Sequence, residues 1–174
     1  ELAGLNDVLE GAPLVISANG GEIIRPHPMF RVVVTANSFG SGDSSGLYQG
    51  VSIQNVASLD RYRFMEVGYT APDIELDILD KCVPTVPKVI KEGMIRVANE
   101  VRGLFIGSED EGSVLSITLS TRTLIRWCKL AGHFRNAPNP LEYGLDLALL
   151  LRAPKVEKEA VLRIAKDVFG DQWS

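Results

Sequence analysis

Few of the residues that announce a chemistry are present in this sequence. Two cysteines, Cys82 and Cys128, stand far apart in 174 residues and belong to no CxxC or Cys/His cluster. Nothing supports a disulfide between them, and they read as buried, reduced thiols of a cytosolic protein. His27 lies between two prolines with no second ligand at a workable spacing, so it reads as an ordinary loop histidine and no metal site is expected. No apolar run approaches the length that spans a bilayer, and no signal peptide is visible. The net charge is -4 without a block of either sign, which argues against nucleic acid or an anionic membrane as the main partner. Two phosphate-binding fingerprints are also missing. No GxxxxGK(S/T) occurs, because no lysine follows Gly46, and Gly40-Ser41-Gly42-Asp43-Ser44-Ser45 has serine where GxGxxG needs its third glycine.

What is present is the material of a globular core: 45% of the residues are hydrophobic and 23% charged. The length suits one ordinary domain, or a half domain joined to a small one. Leu2, Leu5, Val8 and Leu9 share a helical face, and Gly11 and Pro13 end that segment. No N-cap precedes it, so the chain is expected to start inside an element, as a piece of a longer protein. Leu14 to Ile24 reads as a hairpin, with apolar flanks around Ala18-Asn19-Gly20-Gly21.

The stretch from Arg31 to Arg63 is the organising one. Met29 to Ala36 is a continuous apolar run with β-branched residues, as expected of a strand buried on both faces of a parallel sheet. It stops at the amide of Asn37. A Gly/Ser-rich connection follows, then Val51 to Asp60 as a short helix delivering Arg61 and Arg63, and Phe64 to Tyr69 as a second strand. After Pro72 helical periodicity dominates, which sets a domain boundary near residue 71. Helices are expected over Asp73 to Lys81 and Lys88 to Ile106, the latter with Gly107 as its C-cap and an apolar face of Val89, Ile90, Met94, Val97, Val101, Leu104 and Phe105. Leu115 to Leu119 is either a short strand or an extended approach. The next helix is capped by Ser120 or Thr121 and buries Leu124, Ile125, Cys128 and Ala131. Two more follow, Leu141 to Arg152 and Val156 to Phe169, the last turning Val156, Ala160, Val161, Ile164, Ala165 and Val168 inward. The architecture is half an α/β layer followed by a helical bundle.

IIRPHPMFRVVVTAN, GSGDSSGLYQG, Leu59-Asp60-Arg61 and Leu119-Ser120-Thr121-Arg122-Thr123, in this order and spacing, resemble the AAA+ ATPases of the MoxR class. Along essentially the whole chain the likeness is greatest to the CobS branch, the ATPase subunit of aerobic cobaltochelatase. The resemblance implies the later half of an α/β P-loop ATPase core over residues 1–71 and an all-α lid over 72–174. The Walker A lysine, the Walker B carboxylates and the magnesium site would lie upstream of Glu1. ATP and Mg2+ are the implied cofactors, held mainly by those upstream residues.

Carried over by position, Asn37 resembles sensor 1, whose amide orients the attacking water or touches the γ-phosphate of its own subunit. Arg61 resembles the arginine finger, offered to the nucleotide of a neighbouring subunit, with Arg63 as runner-up. Arg122 resembles sensor 2, closing on its own subunit's phosphates. Thr121 stands where the family often has proline, so the lid helix is expected to start differently. The Leu14 to Ile24 hairpin resembles the pre-sensor-1 insertion that faces the pore of such rings. Without the family, Asn37 is equally a strand end making a local turn bond, Arg61 half of a surface pair with Asp60, and the hairpin an exposed connection.

The implied function is ATP hydrolysis in a homo-oligomeric ring, expected to be a hexamer in the cytoplasm, that remodels a protein partner. Cobalt insertion by a cobaltochelatase in cobalamin biosynthesis is one reaction it could serve; a phage or other CobS-like setting with a different partner is another. The chain by itself is expected to be inactive, lacking Walker A and B. The reading from another class is a non-catalytic interaction module that docks through its helices.

Overall fold

The computed structural model describes residues 6–36, 59–105 and 115–173. They fall into two compact units that meet in sequence at Val67 and Gly68. In the first unit a short helix, α1 (Asn6–Leu9), ends at Gly11, which takes a φ of 89°. A two-stranded antiparallel hairpin follows, β1 (Leu14–Ile16) with β2 (Glu22–Ile24), pairing Leu14 with Ile24, Val15 with Ile23 and Ile16 with Glu22. The hairpin expected around Asn19-Gly20 is therefore present. Its connection is longer than a two-residue turn: Ser17–Asn19 form one turn of 3-10 helix, and Gly20 and Gly21 carry the chain back at φ of 68° and 82°. Both glycines sit in the left-handed region that residues with a Cβ avoid.

The strand expected over Met29 to Ala36 is not formed. Residues 31–36 carry no regular structure, and Met29 is 74% and Val33 89% exposed. Phe64 to Tyr69 likewise forms no strand, and Phe64, Met65 and Val67 are exposed. A strand buried on both faces needs hydrogen-bonded neighbours at its edges and helices over its faces. Among the described residues neither is present, so the apolar, β-branched sequence stays irregular and largely solvated. The sheet among the described residues is the antiparallel hairpin, and a parallel sheet is not observed.

The second unit is a helical bundle: α2 (Pro72–Cys82), α3 (Lys88–Gly103), α4 (Thr121–His133), α5 (Pro140–Ala148) and α6 (Lys155–Phe169). Prolines open four of these helices, Pro72 and Pro140 at the first helical position and Pro87 and Pro154 as the caps of α3 and α6, where a missing N–H costs nothing. Met94, Val97, Ala98 and Val101 of α3, Leu124, Trp127 and Cys128 of α4, and Val161 and Ala165 of α6 meet in one core. Trp127 lies at its centre with no exposed surface, its Nε1 donating to Leu141 O at 2.8 Å and its ring edge-on to Phe169 with centroids 6.2 Å apart. That hydrogen bond is what allows the indole nitrogen to be buried.

Helix α3 stops sooner than its apolar pattern suggests, with Leu104 as its cap in place of Gly107, which lies outside the described residues. Leu115 then returns beside its end, its N–H donating to Leu104 O at 2.9 Å. Two residues expected inside are outside: Val89 is 52% and Val156 78% exposed, both in first turns, where the backbone has just left a proline cap. Cys128 is buried and Cys82 exposed, both as free thiols, so Cys82 corrects the expectation of two buried ones. It is the last residue of α2, on the side turned from the core. None of the helices among the described residues is long and apolar enough to cross a membrane.

Candidate functional site

The chemically distinctive part of the second unit is the segment that delivers Arg122. It begins where Leu115 comes back beside α3, and residues 115–121 are anchored along almost their whole length. Ser116 donates through N–H and Oγ to the two carboxylate oxygens of Glu157, at 3.0 and 2.7 Å, in the first turn of α6. Thr118 Oγ1 and the Tyr69 hydroxyl share a hydrogen bond of 2.9 Å. Leu119 O accepts from Arg102 Nε at 2.7 Å. Thr121 Oγ1 donates to Glu75 Oε1 at 2.6 Å.

Behind these contacts lies a buried ion pair. Arg102 of α3 is 6% exposed and Glu75 of α2 is fully enclosed. Guanidinium and carboxylate meet face to face, Nη1 to Oε2 at 2.9 Å and Nη2 to Oε1 at 2.8 Å. Asn99 Oδ1 also accepts from Nη1, and the guanidinium carbon lies 4.4 Å from the centre of the Tyr69 ring. Every group that burial would leave wanting is thereby supplied. A second part-buried pair, Lys91 Nζ to Asp80 Oδ1 at 2.7 Å, joins the same two helices.

Helix α4 starts cleanly at the end of this segment. Ser120 is its N-cap, the Oγ accepting from Thr123 N–H at 3.2 Å. The cap expected at Ser120 or Thr121 is thus Ser120, while the Thr121 hydroxyl is engaged with Glu75. Arg122 follows in the first turn and is exposed, with no hydrogen-bond or ion-pair partner among the described residues. A cation here is mildly unfavourable against the positive end of the helix dipole, unless an anion is bound. Arg126, four residues on and also exposed, shares its side of the helix.

The remaining candidates lie elsewhere. Arg61 lies within a turn closed by Leu59, whose carbonyl accepts from Tyr62 N–H at 3.0 Å. Its Nε donates to Glu10 Oε1 at 2.7 Å, and Nη2 pairs with the same oxygen. The ion pair is thus with a residue far back in the chain and not with the adjacent Asp60. Arg63 is exposed. Asn37 and the Gly/Ser-rich connection lie outside the described residues. Arg61 and Arg122 belong to different units.

Arg102 and Glu75 are functional candidates that the sequence did not disclose. Their only signal was a charged residue on the inner face of each of two amphipathic helices. Among the described residues no group of three or more His, Cys, Asp or Glu converges where a metal ion could be held. The exposed guanidinium of Arg122, without a partner among the described residues and at the N-terminal end of α4, suits an anion such as phosphate and not a cation.

The chain belongs to the CbbQ/NirQ/NorQ C-terminal family, which matches residues 75–168 and so covers α2 to α6 almost whole. With the relative described next, this makes the chain a C-terminal portion of a CbbQ/CobS-type AAA+ ATPase of the MoxR class. That relative is the "Aerobic cobaltochelatase subunit CobS" of a Sinorhizobium species, 32% identical over 94% of this chain and 48% of the relative. The chain spans about half the length of the curated relative it matches.

Proposed function

We propose that this chain supplies the lid and the trans-acting half of an ATPase site, and that the whole protein hydrolyses ATP with Mg2+ in a homo-oligomeric ring. The reading rests on one observation above the others: Arg122 stands exposed at the start of α4, without a partner among the described residues, in a segment whose other polar groups are nearly all engaged. On this reading Arg122 binds the phosphates of its own subunit's nucleotide. Arg61 reaches the γ-phosphate in the neighbouring subunit, leaving Glu10 to do so, with Arg63 as the other candidate. Asn37 holds the attacking water. Bound magnesium would offset charge on the transferring phosphoryl group; the residues given roles here bind and orient.

Residues 1–71 form the later half of the α/β core on this reading, and 72–174 the lid. The parallel strand expected at Met29 to Ala36 forms only against the neighbouring strands of a complete core. Val15 and Ile23, a cross-strand pair that is 56% and 62% exposed, put an apolar face on the hairpin that suits contact with a remodelled protein. The 32% identity to the CobS protein favours a cobaltochelatase complex as the setting. A hexameric ring in the cytoplasm belongs to the same proposal. A docking module without catalysis is the second reading, favoured by the exposed apolar residues from Met29 to Val34.

Replacing Arg122 with alanine in the full-length protein separates the two. The ATPase reading expects turnover to fall about a hundredfold or more with the protein still folded. Unchanged turnover would refute the role given to Arg122, and a full-length protein without ATPase activity would favour the docking module.

A further inference from the structure

We infer that Thr121, Glu75 and Arg102 form a positioning relay for Arg122, one that governs how fast nucleotide is turned over and not how tightly it is held. The inference rests on the reading of Arg122 as a phosphate-binding group.

A buried ion pair is a weak source of stability, because desolvating both charges offsets most of their attraction; well-packed apolar residues of the same size serve as well or better. The value of such a pair lies in the geometry it enforces. Glu75 and Arg102 also each bond to the same short segment, residues 119–121. Arg102 Nε binds Leu119 O at 2.7 Å, and Glu75 Oε1 takes the Thr121 hydroxyl at 2.6 Å. These two residues flank the cap Ser120, and Arg122 is the next residue along. The start of α4 is therefore held to α2 and α3 through charge-assisted hydrogen bonds that water and salt barely reach, since Glu75 is fully enclosed and Arg102 only 6% exposed.

The opposite side of Arg102 is closed by Tyr69, whose ring covers the guanidinium at 4.4 Å and whose hydroxyl meets Thr118 Oγ1 at 2.9 Å. Residues 118, 119 and 121 are thus tied to one arginine and to two of the groups around it, Glu75 and Tyr69. Arg122 carries a long side chain with no lateral support among the described residues. The backbone beneath it is what the fold holds fixed, and that sets where the guanidinium can reach. A displacement of an ångström at such a group slows a reaction far more than it weakens ground-state binding.

The test uses the full-length protein and a double-mutant cycle on steady-state ATP hydrolysis. Thr121→Val keeps size and branching, leaves the ion pair intact and removes only the hydroxyl. It is expected to lower kcat about tenfold with little change in KM for ATP and a thermal midpoint close to wild type. Thr121→Ser, which restores the hydroxyl, is expected to recover most of the rate. In an Arg122→Ala background Thr121→Val is expected to change kcat less than about twofold, because the group it positions is gone. Glu75→Gln, which keeps the shape and weakens both arms of the relay, follows the same pattern if it folds.

Wild-type kcat in Thr121→Val overturns the relay. So does a full tenfold loss persisting in the Arg122→Ala background, since the hydroxyl would then act on something other than Arg122. If Arg122→Ala alone leaves turnover intact, the reading of Arg122 fails and the relay falls with it. If Arg122→Ala is defective while Thr121→Val is normal, the relay alone fails.

Discussion

Arg102 and Glu75 close a two-pronged ion pair between α3 and α2, 27 residues apart in sequence, with almost no surface of either side chain exposed. The consequence for stability is asymmetric. Removing one partner leaves the other charge buried without a counterion. Arg102→Ala or Glu75→Ala is therefore expected to destabilise the helical unit by about 3–5 kcal/mol. Replacing both at once with apolar residues of similar volume, Arg102→Met with Glu75→Leu, is expected to recover most of that loss. Chemical denaturation of the chain, followed by circular dichroism, gives both values. A single variant as stable as wild type would show that the pair is not buried as described.

The crossing of α4 and α5 depends on Gly144. A Cβ built there would lie 2.9 Å from Ala131 N and 3.3 Å from Trp127 Cδ1. The first of these is backbone and cannot swing aside, so Gly144→Ala must push the two helices apart. The intrinsic gain in helix propensity, about 1 kcal/mol, is outweighed, and a net loss of about 1–3 kcal/mol is expected. A higher thermal midpoint in Gly144→Ala would contradict this packing.

The thiols give a pH signature. Burial raises the Cys128 thiol from 9.0 to about 11, with Asp80 and Cys82 adding to the rise and Lys91 opposing it. Well below pH 9 the thiol is neutral in both the folded and the unfolded chain and has little effect on their balance. Between about 9 and 11 the unfolded thiol ionises while the folded one does not, so stability falls through that window. In Cys128→Ala this component is expected to vanish, which urea midpoints at pH 8 and pH 10.5 would show. In the native protein an aromatic disulfide reagent is expected to modify Cys82 promptly and Cys128 only on unfolding.

Much of the helical unit was legible in the sequence because each helix carries its own signals. Pro72, Pro140 and the Ser120 cap mark starts, Gly170 marks the end of α6, and the 3.6-residue period marks the inner faces. Met29 to Ala36 misled for the opposite reason. A strand is a cooperative structure whose partners lie elsewhere in sequence, and an apolar run encodes only a capacity to pair. Trp127 and the Arg102–Glu75 pair went unread for a third reason. What they become depends on which group stands across the core, Leu141 O in one case and Leu119 O with Thr121 in the other. Arg61 and Arg122 could be singled out from sequence only through the family likeness, since an exposed arginine has no local signature of its role.

The role proposed for Arg61, at the nucleotide of a neighbouring subunit, is tested most directly by one measurement. ATP hydrolysis and nucleotide binding are to be compared in the full-length protein and its Arg61→Ala variant, in the assembled ring. Turnover is expected to fall by about 10³-fold or more with the dissociation constant for ATP changed by less than about threefold, because the finger acts on charge that develops only in the transition state. Turnover near that of the unmodified protein would contradict it.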